Sequence, residues 1–111
     1  MLRKYCLALD LVNDAALIAG YEKWHREVWP GIINSIRSSG IEQMEIYRVG
    51  NRLCMIMEVN EEFSFEAKSR ADQANPEVQE WEQLMWKFQQ PLPFAKPGEK
   101  WMLMDKIFHL P

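Results

Sequence analysis

The chain has 111 residues, enough for one hydrophobic core and not for two, so residues 1–111 read as a single domain. It is 48% hydrophobic and carries five Trp, five Phe, three Tyr and seven Met; so small a molecule cannot bury them all, and some must line a pocket or a subunit interface. A net charge of −3 with no basic cluster excludes the electrostatic footprint of a nucleic-acid or anionic-membrane binder.

From Arg3 to Val12 the sequence alternates, with Tyr5, Leu7, Leu9 and Leu11 on one side, and predicts a strand. Asp10 interrupts its apolar run too early for a signal-peptide core, and no segment reaches membrane-spanning length, so a soluble, cytoplasmic protein is expected. Asn13 or Asp14 then offers an N-cap, and Leu17, Tyr21, Trp24 and Val28 form a helical stripe. Pro30 breaks or kinks that helix near Val28, and a further helical segment stops at Gly40.

Ile41, Met44, Ile46 and Val49 alternate imperfectly, but their β-branched content and the Gly50-Asn51 pair predict a hairpin. Its second arm, Leu53 to Val59, is almost continuously apolar, as in a central strand. A helical region begins near Phe63 and is interrupted at Ala74–Pro76; Val78, Trp81, Leu84, Met85 and Phe88 keep helical spacing beyond it. A proline-rich loop leads to a last strand over WMLMDKIFHL. The order β-α-β-β-α-β is ferredoxin-like, an α+β fold with a four-stranded antiparallel sheet and helices on one face. The bare sheet face and the surplus of large apolar side chains predict a homodimer packed through that face.

The stretch YEKWHREVWP places Tyr21 and His25 one helical turn apart on one face. Imidazole titrates near working pH and serves as base in one direction and acid in the other. A Tyr/His pair on a helix is, by itself, more often a packed or surface pair than a site. The two histidines lie far apart without Cys or carboxylate neighbours at ligand spacing, so no metal site is expected. Cys6 and Cys54 fall in predicted strands and read as reduced, buried thiols.

Taken together, Arg3-Lys4 opening the first strand, the Y-x-x-x-H-x-x-x-W-P pattern of Tyr21, His25, Trp29 and Pro30, the EIY ending at Tyr47, Trp81, and the tail Phe108, Leu110 and Pro111 resemble the L-rhamnose mutarotase family over essentially the whole chain. The resemblance implies a dimeric α/β barrel that interconverts the α and β anomers of a pyranose without a cofactor. It implies His25 as the proton-transfer residue, Tyr21 as a hydrogen-bonding partner of the sugar, and Trp81 as a pocket wall. Two positions depart from the family pattern: Glu82 follows Trp81 where a second Trp is usual, and Arg26-Glu27 stands where Asn-Pro is common. These leave the sugar open between L-rhamnose and another 6-deoxyhexose such as L-fucose.

A tryptophan face suits the C–H-rich side of a deoxysugar, and Glu82 offers a carboxylate acceptor for a hydroxyl. Trp81 shares the apolar stripe with Val78, Leu84 and Met85, so core packing competes with that role. Glu82 lies about 100° further round the helix and equally suits a solvated face. Two other functions fit the same scaffold: a cofactor-free monooxygenase acting on large flat phenols, and a non-enzymatic ligand-binding domain. Neither requires the Tyr21–His25 spacing.

Overall fold

In the computed structural model, which describes residues 2–111, the alternation of the first segment becomes β1 (Arg3–Leu11). Leu7, Leu9 and Leu11 are buried toward the helices, while Lys4, Cys6 and Ala8 point to the opposite face. Asp14 caps α1 (Ala15–Arg26) by accepting from the Leu17 amide at 3.0 Å. Pro30 does not kink a continuing helix. It occupies the first turn of a separate one, α2 (Pro30–Ser38), where its missing N–H has no helical partner to lose.

Gly40, at φ 100°, turns the chain out of α2 into β2 (Ile41–Val49). Gly50 (φ 59°) and Asn51 then form the two-residue turn to β3 (Arg52–Val59), with glycine at the first turn position, where a type II′ turn wants it. The imperfect alternation of β2 has a definite cause. A register shift between Ile41 and Gln43 inserts one residue, which returns Met44 and Ile46 to the side on which Ile41 is buried.

The second crossover is likewise divided, into α3 (Phe65–Ala74) and α4 (Pro76–Trp86). Asn75 caps α4 by accepting from the Glu77 and Val78 amides, with Pro76 behind it. The expected last strand, WMLMDKIFHL, shrinks to two residues, and a further two-residue strand forms in QQPLPFAKPGEK, where a loop was expected. β4 (Gln89–Gln90) pairs Asp10 and Leu11, and β5 (Met102–Leu103) pairs Leu7 and Ala8, both along the same edge of β1. The prolines at 91, 93 and 97 keep the intervening chain off the ladder.

The result is a ferredoxin-like antiparallel sheet in the order β2-β3-β1-β4, with β5 beside β1, and four helices on one face. The sheet thus has five strands, two of them very short, where four were expected. The last strand is shorter than the apolar pattern suggested: after Leu103 the chain to Pro111 has no regular structure, and Ile107, Phe108 and Leu110 are exposed.

Two clusters fill the space between sheet and helices. Leu11, Leu53, Tyr21, Ile32, Val78, Trp81 and Met85 make the first. Leu7, Ile41, Met57, Val59 and Phe63 make the second, toward the other end of the strands. On the bare face, registered charge pairs flank a small apolar middle. Arg52 grips Asp10 through two bonds of 2.8 and 3.1 Å, and Lys4 lies 3.9 Å from Glu58. Cys6 and Cys54 sit between them as free thiols, one on each of the paired strands. No helix among the described residues is long and apolar enough to cross a membrane.

Candidate active site

The last turns of α1 face the β2–β3 hairpin across a half-open cleft of about 230 Å³, lined by Tyr21, Glu22, His25, Ile46, Arg48 and Leu53. It is smaller than the roughly 300–1,000 Å³ typical of drug-sized ligand sites, so it suits a small ligand. Its walls differ in character: aromatic on α1, apolar at Ile46 and Leu53, and charged at Glu22 and Arg48.

Helical spacing stacks the Tyr21 and His25 rings with centroids 4.3 Å apart. The His25 Nδ1 lies 2.8 Å from the Tyr21 carbonyl oxygen. A carbonyl can only accept, so Nδ1 carries the proton and the neutral ring presents a bare Nε2. Burial lowers the His25 pKa below its ordinary 6.5, partly opposed by that same backbone hydrogen bond, so the ring is neutral at pH 7. Tyr21 is only 4% exposed, and burial raises its pKa, keeping the phenol a proton donor.

Gln89, at the start of β4, reaches the Tyr21 hydroxyl through its amide nitrogen at 3.4 Å. The glutamine is itself buried, and its Oε1 has no hydrogen-bond partner. Sequence reasoning passed over it, because Gln89-Gln90 just before Pro91 reads as the start of a loop.

Of the residues singled out in the sequence, Tyr21 and His25 come together in the cleft. Trp81 stands behind them. It is 9% exposed within the core cluster, with its ring edge-on to His25 (5.7 Å), Trp29 (5.0 Å) and Trp24 (6.4 Å). It packs against the imidazole without lining the cleft. Glu82 does not line it either; its charge acts on Lys100, which lies over the Trp86 ring at 4.6 Å. Tyr47 points to the bare sheet face, where its hydroxyl donates to Glu45 at 3.0 Å. Among the described residues no His/Cys/Asp/Glu group is arranged to hold a metal ion.

Glu22 and Arg48 were not anticipated from the sequence. Glu22 shares the His25 face of α1, three residues before it. Arg48 follows Ile46 by two along β2 and so points to the helix side of the strand. Their side chains meet at 3.3 Å, joining α1 to the hairpin.

Fold and cleft define a ferredoxin-like α+β protein with a small cleft of mixed polar and apolar lining under its first helix. The sequence model of the L-rhamnose mutarotase family matches residues 4–110. The chain belongs to that family and is an isomerase. It is 49% identical to an L-fucose mutarotase of Xanthomonas campestris pv. campestris over 111 residues, covering 98% of this chain and 89% of that one. A UPF0734 protein of Dictyostelium discoideum is 37% identical over 112 residues, covering 97% and 90%. Among solved structures, the L-rhamnose mutarotase of Formosa agariphila superposes with a TM-score of 0.72 at 16% identity, over 98% of this chain and 99% of that one. The tetracenomycin F2 cyclase of Streptomyces glaucescens shares the fold at a TM-score of 0.59 and 12% identity, with the same coverage.

Proposed function

We propose that the protein interconverts the α and β anomers of a 6-deoxyhexose, with His25 as the acid–base group. The observation that carries this is the tethered imidazole: Nδ1 tied to the Tyr21 carbonyl, Nε2 free, and a monosaccharide-sized cleft beside it. L-fucose is the first sugar to consider, because a relative that is 49% identical over nearly the whole chain is an L-fucose mutarotase. L-rhamnose, the sugar of the family description, is the second.

The reaction needs one proton taken from the anomeric hydroxyl and one delivered to the ring oxygen. His25 Nε2 takes the first as the C1–O5 bond breaks and its electron pair moves to O5. O5 gains a proton from the imidazolium or from the Tyr21 phenol, leaving the open aldehyde. Rotation about C1–C2 presents the other carbonyl face, and the same steps reversed close the second anomer. Such acid–base assistance is typically worth about 10²–10⁴-fold. Trp81 holds the imidazole edge-on and restricts its swing, while Ile46 and Leu53 offer an apolar wall to the sugar's methyl group. No cofactor enters this chemistry.

The exposed Ile107, Phe108 and Leu110, with Tyr47 and Val49 on the bare sheet side, support a second copy of the chain as the cover for that face. The free thiols suit a reducing cytoplasm, the compartment proposed here. The cofactor-free monooxygenase reading gains nothing from a cleft of about 230 Å³, which is small for large flat phenols.

The test is anomer exchange by saturation-transfer proton NMR with L-fucose and L-rhamnose, comparing wild type with His25→Ala. Acceleration by wild type and its loss in a variant with unchanged far-UV circular dichroism is the expected result. A folded His25→Ala protein that retains full activity refutes the assignment of the base.

A further inference from the structure

A deoxysugar presents a ring of hydroxyls, each both donor and acceptor, and a site that holds one must answer most of them. Four of the six cleft-lining side chains are polar: Tyr21, Glu22, His25 and Arg48. Two are already committed. The Tyr21 hydroxyl accepts from Gln89 and turns its own proton toward the ring oxygen, and His25 has one nitrogen tied to the backbone and the other assigned to the anomeric proton. The remaining sugar hydroxyls therefore fall to Glu22 and Arg48.

The geometry of this pair fits the task. Glu22 Oε2 lies 3.3 Å from Arg48 Nε, and Arg48 Nη1 donates to the Gly50 carbonyl at 2.8 Å. The guanidinium is thus anchored to the hairpin turn. Among the described residues, Glu22 Oε1 and Arg48 Nη2 take no partner. Both side chains keep solvent access (47% and 35% of side-chain surface), so the pair can exchange water for ligand without first being dug out of a core. A fixed carboxylate acceptor next to a fixed guanidinium donor matches two neighbouring hydroxyls, and charge-assisted bonds of this kind are about twice as strong as neutral ones.

Resting on the mutarotase reading, we propose that Glu22 and Arg48 together grip a vicinal pair of hydroxyls on the sugar. The Glu22 carboxylate accepts from one and the Arg48 guanidinium donates to its neighbour. Because sugars such as L-fucose and L-rhamnose differ in hydroxyl configuration around the ring, this pair selects the sugar, while His25 acts on the anomeric centre that all of them share.

The experiment compares Glu22→Gln and Arg48→Met with wild type in the exchange assay, fitting kcat and KM for L-fucose and L-rhamnose separately. Equilibrium binding of both sugars is measured on the same proteins and on His25→Ala. For the preferred sugar, each variant is expected to raise KM and Kd about tenfold or more, with kcat within roughly threefold, and to narrow the ratio between the two sugars. Unchanged KM, Kd and sugar preference in folded variants overturn the proposal, even if thermal stability has fallen, since that outcome makes the pair a clamp between helix and hairpin only. Failure of the acid–base reading looks different: His25→Ala then keeps its exchange activity, and sugar binding still depends on Glu22 and Arg48. A wild-type protein that binds neither sugar overturns both.

Discussion

The Tyr21–Gln89 contact allows a sharp test, because both side chains are buried (4% and 7% exposed) and the bond between them is long, at 3.4 Å. Tyr21→Phe removes the hydroxyl and leaves the glutamine amide with no partner for its nitrogen, in addition to the Oε1 that already lacks one. An orphaned buried polar group costs about 1–3 kcal/mol, and so long a bond points to the lower half of that range. For a domain of this size each kcal/mol is worth about 4 °C, so Tm should fall by about 4–8 °C. Gln89→Leu removes the orphaned oxygen but strands the tyrosine hydroxyl, and these effects offset to within about 1 kcal/mol. The double variant exchanges a polar pair for an apolar one of similar shape, and its stability should return to within about 1 kcal/mol of wild type. Urea unfolding followed by circular dichroism, at one fixed protein concentration, supplies the four corners of the cycle. Simple additivity of the two changes would show that the side chains do not act as a pair. The double variant should nevertheless exchange anomers more slowly, since stability recovers and the phenol does not.

Burial holds the His25 pKa below 6.5, so the acid limb of kcat/KM should have its midpoint below 6.5; a midpoint above that value contradicts a buried neutral base. The same shift acts on stability. Between the folded pKa and 6.5 the unfolded chain binds more protons at this residue, so the stabilising contribution is complete above pH 6.5 and is lost as pH falls through the window; His25→Gln should flatten that part of the urea-midpoint profile. Replacing Ile107 and Phe108 by serine should shift sedimentation toward the monomer at low micromolar concentration, whereas an unchanged dimer would show that these exposed side chains do not support association.

Much of the fold was readable because local chemistry and tertiary structure agree. Asp14, Pro30, Gly40 and the Gly50-Asn51 pair each mark a boundary for a reason that holds within a few residues of chain. The last strand misled because alternation records burial on one side and is silent about what provides it. Trp101 reaches both core clusters, but Ile107, Phe108 and Leu110 find no cover within their own chain. The Tyr21–His25 pair was legible because one helix holds both members. Glu22 and Arg48 were not, since they stand 26 positions apart and a charged residue beside a helical stripe ordinarily faces water. The available clue was Arg48 itself, a cation on the side of β2 that Met44 and Ile46 turn toward the helices. Glu82 failed in the opposite way: its neighbour Trp81 points into the core, and one step along the helix was enough to carry the carboxylate to the vicinity of Lys100.

The placement of β1 at the middle of the sheet has a consequence for how the protein is made. Leu7 lies opposite Met55 on one side and Leu103 on the other, so the strand synthesised first is joined by partners that leave the ribosome much later. The β2–β3 hairpin, closed by a two-residue turn, can form as soon as it emerges and then capture β1. The outer edge of β1 must wait for almost the entire chain. Completion of the sheet is therefore a late event, and a nascent chain stalled before residue 102 leaves the Leu7–Ala8 part of that edge unpaired and open to other chains.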